Sequence, residues 1–163
     1  MPTLTVWDTR IEWKGAGCFF PDTMVHMEDG KLCEIQFLGP GDTVLSRSKE
    51  TGELAYRKVV RNFEHDGKQV HTIDYFVAAR PGHTYRLYAT AEHPVWVETI
   101  GWTKACNLRS GHLLRLHDHT FAPVVEVNNL GDVGAVHNIE VEDFHTYFVD
   151  DSGVWVSDGV HQR

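Results

Sequence analysis

A glycine followed by a cysteine, Gly17-Cys18, opens the compact part of this sequence. A cysteine thiolate is a strong nucleophile, and glycine tolerates backbone conformations that other residues avoid. Two further patterns carry groups suited to proton transfer. Thr90-Ala91-Glu92-His93-Pro94 offers a hydroxyl and an imidazole in one short stretch, and Phe144-His145-Thr146-Tyr147-Phe148-Val149 offers a second imidazole near the C-terminus. A thiol served by an imidazole is equipment for nucleophilic acyl transfer. Each residue alone also has an ordinary reading: a cysteine filling a core, a histidine at a strand end, a threonine as common strand vocabulary. Cys33 and Cys106 are assigned to structure, since three cysteines leave one odd and make no disulfide framework.

The elements that must position these groups read as short strands separated by turns. Thr43-Val44-Leu45, Val59-Val60, Val70 to Ile73, Tyr85 to Tyr88, Val95-Trp96-Val97, Val124-Val125 and Thr146 to Val149 are β-rich. Glu28-Asp29-Gly30, Gly39-Pro40-Gly41-Asp42, Glu50-Thr51-Gly52, Arg80-Pro81-Gly82 and Asp151-Ser152-Gly153 supply turn chemistry between them. Only Thr103 to Arg109 has room for a helical turn or two, and Asn128 to Gly134 reads as a connecting loop. The class expected is all-β. A weak repeat is visible as well. Leu38 to Val44 and Leu108 to Leu114 match in Leu, Gly and an aliphatic residue, and each is followed by a Val-Val strand. Two related halves packed into one body would explain it, and so would coincidence in a β-rich chain.

Composition sets the outer bounds. With 163 residues, 42% hydrophobic and 23% charged, the chain suits one globular domain with a sizeable core. The net charge of -8 and the scattered basic residues argue against a nucleic-acid reader. No apolar run is long enough for a membrane helix, and Met1 to Gly17 lacks the pattern of a signal peptide. Eleven histidines include His117 and His119, but no Cys-x-x-Cys or His-Glu-x-x-His accompanies them, so neither a metal nor another cofactor is expected.

Taken in order, these blocks resemble the Hint superfamily of inteins, hedgehog autoprocessing domains and bacterial intein-like domains. The likeness is nearest to the Hint modules found before the toxin tip of bacterial polymorphic toxins. Gly17-Cys18-Phe19 matches the opening block, Gly41-Asp42-Thr43-Val44-Leu45 the Gly-Asp-x-Val turn, and Thr90-x-x-His93-Pro94 with Trp96-Val97 and Gly101-Trp102 the Thr-x-x-His block. Asn138 to Val149 matches the penultimate block, and Ser152 to Val156 leads into the last. The resemblance implies a horseshoe-like all-β fold of two pseudo-symmetric halves. It divides the chain into an N-terminal flank (1–17), the Hint domain (18–158) and a C-terminal tail (159–163). It implies a monomer acting on its own flanking polypeptide, with water or an outside nucleophile as co-reactant, inside a secreted or cell-surface bacterial protein.

The implied chemistry is an N–S acyl shift in which the Cys18 thiol attacks the carbonyl of Gly17. His93 is then the general acid for the leaving nitrogen, and Thr90 orients the bond. Backbone N–H groups and Asn138 are candidates for the oxyanion. Where many inteins carry Asp, this chain has Asn138, which keeps hydrogen bonding without the charge; His145 is a candidate to compensate. Members that cleave at the C-terminal end finish in His-Asn, whereas the alignment here places Ser157 and Asp158. A carboxylate cannot form the cyclic imide as an amide does, so C-terminal cleavage and splicing are expected to be impaired. A shifted alignment would use His161-Gln162 instead. A Hint domain that has lost its chemistry and serves as a folded spacer is the competing expectation.

Overall fold

The computed structural model describes residues 17–160. The alternating apolar runs become eleven strands in one antiparallel sheet system, with three single 3-10 turns and no α-helix among the described residues. In chain order these are β1 (Met24–His26), β2 (Leu32–Glu34), β3 (Thr43–Arg47), β4 (Leu54–Phe76), β5 (Thr84–Thr90), β6 (Pro94–Val97), β7 (Gly101–Lys104), β8 (Leu113–Arg115), β9 (Phe121–Val141), β10 (Thr146–Val149) and β11 (Val154–Ser157). The stretch with room for a helix contains only the 3-10 turn Ala105–Asn107, because Thr103 and Lys104 are held in β7 by pairing with β6.

Asn128 to Gly134 is a second correction, being strand rather than loop. It forms the middle of the 21-residue β9, which pairs antiparallel with the 23-residue β4 along most of their lengths. Register shifts between the Gly67/Val133 and Val70/Gly131 pairs, with Gly131 at φ 98, let polar residues and glycines continue a ladder that their types disfavour.

The repeat is structural. The N–H of Leu38 bonds the carbonyl of Ile35 and that of Leu108 bonds Ala105, each at 3.2 Å, closing matching 3-10 turns. Gly41 (φ 94) then donates to Val59, as Gly111 (φ 92) donates to Val124. Val59 returns a bond to Asp42, as Val124 does to His112. The Asp42 carboxylate caps the N–H of Gly39, and His112 Nδ1 caps that of Arg109. Leu38 and Leu108 are buried under these turns, each contributing roughly 1.5–3 kcal/mol through burial. Each half therefore feeds its hairpin (β1–β2, β6–β7) through one of these turns into a short strand and then a long one.

A main core of apolar side chains joins the two halves. Every residue of β10 and β11 is buried, and β11 runs between β10 and β6. The segment around Phe19 is central too: it bridges Ala89 of β5 and His137 of β9, exchanging two 2.7 Å backbone bonds with His137. Both chain ends of the domain thus arrive at its middle.

Candidate active site

Cys18 belongs to a small apolar cluster with Val70 and Val136, flanked by Phe20 and Tyr88, and is 2% exposed. Its backbone is held by a single residue at the end of β5. The Cys18 N–H donates to Thr90 Oγ1 at 2.7 Å, and the Thr90 N–H donates to the Cys18 carbonyl at 2.9 Å. Thr90 therefore orients the very nitrogen that would become the leaving group. Its carbonyl accepts the N–H of His93 at 3.1 Å, so the Thr90-to-His93 turn folds the imidazole back to the same place.

His93 is fully buried against Gly17. A Cβ at position 17 would lie 2.0 Å from His93 Cβ and 2.1 Å from its Cα, so only glycine fits at this approach. Phe19 packs on the imidazole with ring centroids 4.1 Å apart, and Tyr147 meets it edge-on at 6.5 Å. Neither ring nitrogen is in hydrogen-bonding geometry. Burial lowers the pKa of His93 to about 3, with the nearby backbone of Gly17 and Ser157 pulling the other way. The ring is neutral at pH 7. Burial also pushes the Cys18 thiol far above its ordinary value, so the sulfur rests as a thiol.

The other named residues gather a short distance away, around the end of β11. Asn138, Ser157 and Asp158 are all fully buried. The Asn138 Nδ2 donates to the carbonyl oxygen of Asp158 at 2.9 Å. The Tyr147 hydroxyl donates to Asn138 Oδ1, which fixes which way the amide faces. Asp158 Oδ2 accepts the Val141 N–H at 2.9 Å and lies 3.0 Å from His145 Nδ1, while Oδ1 accepts the Val160 N–H at 2.9 Å. His145, at φ 56, also accepts the Asp158 N–H through its carbonyl. His145 is thus a partner of Asp158.

The structure brings Gly17, Cys18, Thr90 and His93 together as one group and Asn138, His145, Ser157 and Asp158 as another. Tyr147 stands between them, its phenol held strongly protonated by burial and by both Cys18 and Asp158. Sequence reasoning missed two participants. Tyr147 lies inside the quoted block, but a strand tyrosine gives no sign of where its hydroxyl goes. Lys49 lies in an unremarkable turn, yet its Nζ donates to Ser157 Oγ at 3.1 Å. His117 and His119 diverge, His117 packing tilted against His26 with ring centroids 4.5 Å apart and His119 lying 3.3 Å from Arg47. Among the described residues no three His, Cys, Asp or Glu side chains gather to hold a metal ion. His161-Gln162 lies outside the described residues, as does the N-terminal flank apart from Gly17.

Comparisons with known proteins bear on the family and the fold. The model of the pretoxin Hint domain family matches residues 24–159. Among solved structures, a bacterial intein-like domain from Clostridium thermocellum shares 26% identity, covers 86% of this chain and 97% of its own, and superposes with a TM-score of 0.74. A DnaB intein from Synechocystis sp. PCC 6803 is 20% identical, with 87% and 99% covered and a TM-score of 0.71. Among curated proteins no sequence match is found.

Proposed function

Because the chain belongs to the pretoxin Hint family, whose Hint and intein relatives are self-processing domains, we propose that it is a single-turnover domain that cleaves its own N-terminal flank at Gly17-Cys18. The observation that carries this reading is the clamp on that bond. Thr90 holds the Cys18 N–H at 2.7 Å, while Gly17 packs on His93 with no space for a side chain. In the reaction the Cys18 sulfur attacks the Gly17 carbonyl carbon, a C–S bond forms and the C–N bond breaks. The shift is an isomerisation: the proton lost by sulfur is the one gained by nitrogen. Neutral His93 carries it, as base towards the thiol and then as acid towards the nitrogen that Thr90 orients. The thioester is discharged by water or an outside nucleophile. Holding the thiol beside its own target replaces a bimolecular encounter.

Asparagine-type release at the other end is closed, because Asp158 has no amide nitrogen with which to form an imide. Two-ended splicing is therefore not expected. Incubation of the purified chain with a thiol or hydroxylamine should release Met1 to Gly17, read by intact mass, and Cys18→Ala should stop it. A folded protein that stays whole under these conditions at every pH would instead support a chemically silent spacer.

A further inference from the structure

A side-chain cluster outside both groups of candidate residues has donors left over and no acceptor for them. The guanidinium of Arg47, on β3, lies over the ring of Trp155, on β11, 5.4 Å from its centroid. Trp155 packs on Trp96 of β6 with centroids 5.2 Å apart. The Trp96 indole donates to Glu98 Oε2 at 2.8 Å, and Arg115 of β8 pairs with the same oxygen at 2.5 Å. Arg115 in turn lies close enough to Arg47 for the two cations to repel. Three N–H groups of this cluster are buried without a partner: Arg47 Nε, Arg115 Nε and Trp155 Nε1. Arg47 is 7% exposed and Trp155 3%, so bulk water does not reach them. A buried donor left unpaired is costly, and a buried cation without a counter-ion more so. Arginine cannot escape by losing its proton. Burial, then Arg115, bear against the Arg47 charge, and among the described residues no carboxylate pairs with it.

We propose that Arg47 and Trp155 form a binding site for a carboxylate that comes from outside the domain. The cluster itself shows which ligand suits it. One guanidinium and one indole, those of Arg115 and Trp96, together hold the Glu98 carboxylate. Arg47 and Trp155 repeat that donor pair beside it and hold nothing. A second carboxylate on them would take up the Arg47 Nε and Trp155 Nε1 protons in charge-assisted bonds. Its negative charge would also separate Arg47 from Arg115. Entry is from the Glu98–Arg115 side, where the two side chains are 20% and 23% exposed. A free carboxylate ion and the acidic side chain of a polypeptide share this chemistry. The site involves neither Cys18 nor His93, so it stands whether or not the domain cleaves itself.

The test follows the indole N–H resonances of the isotope-labelled full chain by NMR, with Trp155→Phe identifying the Trp155 signal. Sodium acetate, compared with sodium chloride at equal ionic strength, probes a free carboxylate. A capped Gly-Glu-Gly peptide, compared with Gly-Gln-Gly, probes an acidic side chain. The Trp155 resonance should move downfield and saturate, while that of Trp96, already bonded to Glu98, should stay. Saturation by acetate assigns the site to a free ion; saturation by the glutamate peptide alone assigns it to a polypeptide. Arg47→Met keeps the backbone bonds to Thr146 and should fold. It should weaken binding by roughly tenfold or more, since a bond to a charged group is lost. A Trp155 resonance that answers neither acetate nor the glutamate peptide beyond the controls would overturn the proposal, and this titration needs no variant in which Arg47 is changed. An unchanged response in folded Arg47→Met would overturn it as well.

Discussion

Among the described glycines, Gly17 leaves the least space for a side chain. A Cβ there would have to displace His93, whose backbone is fixed by Thr90 and whose ring is packed under Phe19. Gly17→Ala should therefore move the imidazole or the scissile carbonyl rather than be absorbed by a flexible neighbour. Displacement by about 1 Å in an aligned site costs on the order of a hundredfold in rate. The expected result is thiol-induced release of the N-terminal flank about a hundredfold slower, with thermal unfolding showing a loss of roughly 1–3 kcal/mol from overpacking. Cys18→Ala, which removes only the sulfur, should leave stability nearly unchanged and remove release entirely. The two variants separate geometry from nucleophile.

At the scale of elements, β5 matters because it ends on Thr90. The exchange of bonds between Thr90 and Cys18 continues the pairing of the Phe19 segment with β5 and makes the scissile region the inserted edge of a sheet. Thr90→Val keeps the shape but leaves the buried Cys18 N–H without its acceptor, a cost of about 1–3 kcal/mol. Thr90→Ser should retain most of both stability and cleavage, so denaturant titration and cleavage rates in this pair isolate the hydroxyl. The strands around these residues were legible in sequence, since alternation and turn residues marked β3, β6 and β10 directly. The long pairing of β4 with β9 was not. Asn128-Asn129 and Gly131 carry loop chemistry, and only a partner strand with matching bulges makes them a ladder. The site was partly legible for the same kind of reason. Thr90 and His93 lie on one turn, so their spacing shows, whereas Lys49 reaches Ser157 from a distant part of the chain and leaves no local trace.

The whole molecule carries several buried or half-buried histidines whose titration sets its acid response. Burial lowers His93 to about 3 and also lowers His26, His65 and His137. In the unfolded chain these groups take protons as pH falls through about 6.5, while the folded chain takes them later. Stability is thus complete above pH 6.5 and falls below it, by up to about 1.4 kcal/mol per pH unit for His93 down to its folded value. Asp150 opposes this over a narrower window. Burial raises it to about 6 despite the 2.6 Å bond from Tyr75, so its contribution grows as pH falls through 6 towards the ordinary carboxylate range. Four histidines against one carboxylate make acid destabilisation the net result. The Tm should drop steadily from pH 7 to pH 4.5, and more shallowly in His93→Phe; a Tm independent of pH over that range would contradict this account.

In the proposed reaction the Thr90 clamp on Cys18 also governs what the cut would leave behind. Cutting before Cys18 turns an amide N–H into a chain terminus, inside a cluster that leaves the residue 2% exposed. An ammonium there would be stripped of water, with one hydroxyl at 2.7 Å as its anchor in the uncut chain. Burial would therefore favour the neutral form of the new amine. A neutral amine beside a thioester is itself a good nucleophile, so on the proposed reaction the uncut chain would re-form until the flank is carried away. The proposed first step would work as a reversible spring, and whatever discharges the thioester would set the direction of time.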